Sequence, residues 1–150
     1  MSKKVSVLFR IISLVLVVSF LCPISASAVE PRASYYLDSY SAYMYNAGWY
    51  KVQVWISVTG VDYMDEIGAL TIMIYESTDN ETWTWVKTFK YSDNPDMLAY
   101  NDYYHCGHVE YQGTIGRYYK AYVCVWAGKD GDGDTRYFWT APIKATLFAG

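Results

Sequence analysis

Two stretches of the chain place apolar residues at every second position. Tyr50, Val52, Val54, Ile56 and Val58 alternate with Lys51, Gln53, Trp55 and Ser57, and Tyr119, Ala121, Val123, Val125 and Ala127 alternate with Lys120, Tyr122, Cys124 and Trp126. A period of two is that of a strand with one buried face, so each stretch predicts a half-buried strand. Trp55 is the aromatic exception on the polar side of the first. Weaker alternation predicts further strands over 34–45, 69–76 (Leu70, Ile72 and Ile74 inward), 82–91 (Trp83, Trp85, Phe89 and Tyr91 on one parity), 103–112 (interrupted by Gly107) and 136–146, where Pro142 marks an edge or an end. Turn residues separate them: Asn46-Ala47-Gly48, a loop from Val61 to Gly68, the hairpin Ser77 to Thr82, Asn94-Pro95-Asp96, Gly113 to Gly116, and the Asp/Gly run from Lys129 to Thr135. No helical period of useful length occurs. The expected fold is all-β, an antiparallel sandwich of about seven strands.

The first residues follow a different pattern. Lys3, Lys4 and Arg10 precede the apolar run Ile11 to Leu21, and Ala26-Ser27-Ala28 offers small residues at a peptidase site. This is the layout of a secretory signal peptide cleaved after Ala28. The run is shorter than the roughly 20 apolar residues that span a bilayer, and Leu21 before Cys22 is too bulky for a lipid-attachment site. Residues 1–28 are expected to be removed on export, leaving 29–150 as one secreted β-sandwich domain, long enough to bury a core of its own.

The whole chain has a net charge of −3, and loss of Lys3, Lys4 and Arg10 makes the remainder more acidic. An acidic chain with no basic cluster argues against nucleic acid and, once the signal is gone, against membrane surfaces. Its 17 Tyr and 6 Trp exceed what a core of this size uses. Rings with a flat apolar face and a polar tip then collect at surfaces and interfaces, which favours binding over chemistry.

Chemical motifs are sparse. His105-Cys106-Gly107-His108 holds metal-type ligands, but a closed zinc site needs four, and the two histidines have opposite strand parity. Asp130, Asp132 and Asp134 resemble the start of a calcium loop, yet Thr135 and Ala141 stand where such a loop needs glycine and glutamate. No nucleophile elbow or recognisable acid–base constellation accompanies the serines, cysteines and histidines, so no catalytic residue, no metal and no cofactor is expected. An oxidising compartment permits a bridge between Cys106 and Cys124 or leaves both as thiols; the choice turns on whether the fold brings their Cα atoms within about 7 Å.

The segment Gly116-Arg117-Tyr118-Tyr119-Lys120-Ala121-Tyr122-Val123, followed by an Asp/Gly loop and Arg136 to Thr140, resembles the last two strands of fibronectin type III and immunoglobulin-like sandwiches. In those folds a tyrosine opens the penultimate strand and bonds back across a corner. The resemblance implies that role for Tyr119 by register, with Tyr118 as the alternative, while Ala121 stands where antibody domains carry a cysteine. The runs Met64 to Leu70, Tyr75 to Val86 and Gly113 to Thr140 resemble a group of small secreted proteins of Gram-positive bacteria, a domain of unknown function. That likeness implies export and a β fold, and no activity.

With Tyr119 and Val123 inward, Tyr118, Tyr122 and Trp126 face outward along one strand, four residues or about 13 Å from each to the next at strand rise. Trp55 lies on the non-core face of another strand, and Trp139 on the strand after Trp126. Rings in a row stack on sugars or cover a protein partner, or else pack on one another as cross-strand pairs. The expectation is a non-enzymatic module that binds an extracellular carbohydrate or a surface protein. The competing expectation is a structural or competition protein, a self-associating surface component or a small secreted toxin.

Overall fold

The computed structural model describes residues 34–150. The expected signal peptide, its cleavage at Ala28 and the leader to Ala33 lie outside the described residues. Seven strands follow in order: β1 (Leu37–Gly48), β2 (Lys51–Ser77), β3 (Thr84–Lys90), β4 (Leu98–Gln112), β5 (Tyr118–Lys129), β6 (Asp132–Trp139) and β7 (Ile143–Lys144). A 3-10 turn, Pro95–Met97, is the one helical element among the described residues.

The alternation that begins at Val52 does not stop where turn residues first interrupt it. β2 runs for 27 residues, through Thr59-Gly60 and the stretch from Val61 to Gly68 that reads as a loop. Gly60 to Tyr63 form a wide bulge opposite the lone Tyr103, because Thr59 pairs with Tyr104 and Met64 with Asp102. A bulge bends a strand without ending its ladder. Past it, Gly68 lies between Leu98 of β4 and Trp126 of β5 at φ +145°, and a Cβ there would stand 2.2 Å from the Met97 carbonyl oxygen. Only glycine meets both conditions without strain.

β2 thus serves two arms. Its first half pairs with β1 and β4, its second with β3 and β5, and β5 carries β6 and β7. All pairings are antiparallel, and hydrogen bonding forms one seven-stranded sheet where separate sheets were expected. Val52, Val54, Ile56 and Val58 of the first arm and Ile72, Ile74, Val123 and Val125 of the second belong to one buried cluster, so the sheet curls around a shared core. Each such side chain contributes about 1.5–3 kcal/mol on leaving water. The curl is tied along β1: Asp134 accepts from Ser34 Oγ (2.5 Å) and the Tyr35 N–H (3.0 Å), Tyr40 meets Phe138 at 5.2 Å, and Asn46 Nδ2 donates to the Phe148 carbonyl at 2.6 Å.

Several boundaries differ from the expected ones. β1 continues to Gly48, and the turn is made by Gly48, Trp49 and Tyr50, all at positive φ. Leu70, expected inside, is the extra residue of a bulge between Ala69 and Thr71. Trp85 and Phe89 share a parity in the sequence but face opposite sides, because Val86 is an extra residue between the Tyr75–Trp85 and Ile74–Lys87 pairs and shifts the register. Gly107 does not interrupt β4. The Lys129–Thr135 run is a two-residue turn, Asp130 (φ 56°) and Gly131 (φ 82°), the left-handed pair that a tight hairpin requires. The last strand breaks at Thr140, whose N–H and Oγ1 both bond Ala121, and resumes beside β5 as β7 beyond Pro142.

Candidate aromatic binding face

The outward parity of β5 meets that of β2 and β6. Tyr122 pairs with Met73 on one side and Trp139 on the other, and Lys120 pairs with Tyr75. The rings converge: Tyr122 lies 4.7 Å from Trp139 and 5.9 Å from Tyr137, and Tyr75 meets Trp139 edge-on at 5.0 Å. Lys120 Nζ sits 4.4 Å from the ring centres of both Trp83 and Trp139. Two indole faces on one ammonium hold its stem rigid while leaving its charge in the plane of the face. Trp139 and Tyr137 stay 48% and 59% exposed, as expected of rings at an open surface rather than in a core. Trp85, on β3 opposite Tyr75, extends the face; its Nε1 donates to Thr88 Oγ1 at 3.0 Å.

The structure brings Tyr122 and Trp139 together and separates the other three expected members. Tyr118 lies on the same side, under Lys144 Nζ at 5.2 Å. Trp126 folds its indole over Gly128 and Gly133, a cross-strand pair; a Cβ on either would stand 2.4 Å from the ring. Its Nε1 is buried without a partner, so this tryptophan covers the β5–β6 hairpin rather than extending the row. Trp55 belongs to the other arm, where it stacks on His108 at 4.4 Å and on Tyr43 at 6.5 Å and donates from Nε1 to Gln53 Oε1. There Lys51 and Glu110 form an ion pair at 2.8 Å, and Lys51, then Gln53, hold the Glu110 carboxyl below its usual range. Tyr75, Trp83, Lys120 and Tyr137 were not foreseen. Their one sequence signal was parity, which groups residues only once strand partners are known.

The bridge between Cys106 and Cys124 does not form. Both are free thiols, Cys106 exposed beside Ser57 in the first arm and Cys124 buried beside Thr71 in the second. Burial pushes the Cys124 thiol up, and hydrogen bonds with Tyr137 and Thr71 only offset this, so it packs beneath the aromatic face as a neutral group.

Tyr119 opens β5 fully buried. Its hydroxyl accepts the Thr114 N–H at 2.8 Å and donates to Glu76, which also takes Arg117 at 3.1 Å. His105 and His108 point to opposite faces of β4, His105 buried and His108 exposed. Among the described residues no group of three or more His, Cys, Asp or Glu is arranged to hold a metal ion.

Compared with known proteins, the chain matches no family model and no curated protein. A crystal structure of a family 76 glycoside hydrolase from a bovine Bacteroides thetaiotaomicron strain is similar at 11% identity and a TM-score of 0.29, over 70% of this chain and 20% of that one. The chain spans only that fifth of the enzyme, and so distant a likeness carries no functional argument.

Proposed function

We propose that the protein is an exported, non-enzymatic binding module that takes an extracellular carbohydrate on the aromatic face of its second arm. The observation that carries this reading is the convergence of Tyr75, Tyr122 and Tyr137 on the exposed Trp139, with Lys120 fixed between Trp139 and Trp83. Sugar rings present flat C–H faces edged by hydroxyls. An indole stacks on the former, and tyrosine hydroxyls and an ammonium bond the latter. The side chains stand on strands, whose rotamers are held by cross-strand neighbours, so little ordering accompanies binding. An immunoglobulin-like reading of the curled sheet accompanies the proposal, and the Tyr119 bond to Thr114 at the start of β5 supports it. Export rests on the pattern of residues 1–28.

A glycan array and a cell-wall pull-down with the purified protein test the function. Retention on a polysaccharide that falls sharply in Tyr122→Ala plus Trp139→Ala is expected. No retention on any polysaccharide, or retention unchanged in that variant, removes the reading.

A further inference from the structure

We infer that the carbohydrate taken by this face is anionic, a chain bearing carboxylate or sulfate groups; this rests on the binding reading above and names its ligand class. The ground is the charge pattern of the face. Between Thr71 and Ser77 of β2, and across their partners on β3, β5, β6 and β7, the outward strand positions carry Lys90, Lys120 and Lys144 and no carboxylate. This occurs in a chain where 15 acids outnumber 12 basic residues.

Two of the nearby acids are engaged elsewhere, and the exposed Glu81 and Asp93 of the flanking turns form no ion pair with these lysines. Glu76 points inward to Arg117 and Tyr119. Asp79 accepts the N–H groups of Glu81 (2.9 Å) and Thr82 (2.8 Å) and the Ser77 hydroxyl (2.8 Å) within its own turn. Glu66, the next outward acid of β2, lies at the corner beyond Trp126. Among the described residues the ion pairs use Lys51, Arg117, Lys129 and Arg136, and none uses these three lysines. Lys120 and Lys144 rest instead on Trp83, Trp139 and Tyr118. A ring face leaves the far side of an ammonium free for an anion, so each lysine presents a positive charge beside a stacking surface. The first arm shows the contrast, since its outward Lys51 is matched by Glu110. An acidic protein that keeps one aromatic face free of carboxylates presents there a complement to negative sugars, although its net charge would repel them elsewhere.

The test measures affinities of the full purified protein for oligogalacturonate, for its methyl ester, which keeps the backbone and removes the charge, and for a heparin hexasaccharide. Oligogalacturonate or the heparin fragment is expected to bind about tenfold or more tighter than the ester at low salt. The preference should shrink as ionic strength rises toward 1 M, where the screening length falls to about 3 Å. Tighter binding of oligogalacturonate than of the heparin fragment, which carries carboxylates and sulfates together, identifies the group as carboxylate. Lys120→Met, which keeps a stem between the two indoles, should reduce the preference severalfold. Lys90→Met plus Lys144→Met, both exposed, should do so without touching that packing. Equal or tighter binding of the ester overturns the anionic assignment and leaves the carbohydrate reading standing. Failure of all three probes overturns the assignment, and failure across the glycan array as well removes the carbohydrate reading with it.

Discussion

Tyr119 and Glu76 stand opposite each other across the β5–β2 ladder, and the buried tyrosine hydroxyl donates to the carboxylate while accepting the Thr114 N–H. One side chain thereby joins the turn before β5, the strand itself and the far end of β2. Burial first, then the bond to Glu76, push its hydroxyl up to about 12. Tyr119→Phe leaves both partners short of a hydrogen bond and is expected to cost about 1–3 kcal/mol in urea unfolding. The unfolded tyrosine ionises near 10, before the folded one, so the wild type should lose stability as pH rises from about 10 to 12, and the variant should lose less. Equal alkaline slopes would refute the assignment.

Trp126 sets a second coupling, with glycine as its partner. Gly128→Ala should destabilise by on the order of 1–3 kcal/mol, because the three atoms nearest the new Cβ all belong to the indole lying over the β5–β6 hairpin. The cost should fall by about half or more in a Trp126→Ala background, where those indole atoms are gone. A double-mutant cycle in urea measures this, and additive losses would mean that the indole is not what excludes the methyl group.

Much of the curled sheet was written in local pattern. The parity of Val52 to Val58 and of Tyr119 to Ala127 marks buried faces that the structure keeps without exception, because period-two burial is a property of a single strand. The corner from Gly60 to Gly68 was not legible. Its acids and glycines have turn composition, and what keeps it in the sheet is pairing with β4 and β5, distant in sequence. The aromatic face was half legible for the same reason. Tyr122 and Trp139 could be read as outward, but Tyr75 and Trp83 join them only through registers that two bulges shift by one residue. Trp126 has the right parity and a different role, which Gly128 and Gly133 signal only once they are seen to pair.

His105 gives the fold an acid-side sensitivity. It is buried with Nε2 unpartnered, near Gly68 and Gly107, and desolvation lowers its pKa despite the Asp96 carbonyl and the charges of Asp102 and Asp96. The unfolded histidine takes up a proton below about 6.5 while the folded one resists, so stability should fall as pH drops from about 6.5 toward the lower folded value. Urea midpoints between pH 7.5 and 5 should show this slope in wild type and a flatter one in His105→Leu. A slope unchanged by that substitution would assign the titration to other groups.

Trp139 separates binding from folding on the candidate face. It lies at the exposed end of β6, outside the buried cluster, yet it touches Tyr75, Tyr122 and Lys120. Trp139→Ala should therefore leave a cooperative melt, losing about 1 kcal/mol of ring and cation contacts, while weakening glycan retention roughly tenfold or more, as expected of a central stacking ring. Trp55→Ala is the matched control. It removes an indole of the same type from the first arm, where its neighbours are Tyr43 and His108, and should leave retention unchanged. Equal losses in the two variants would show that retention follows general aromatic exposure, and a loss in Trp55→Ala alone would move the site to the first arm.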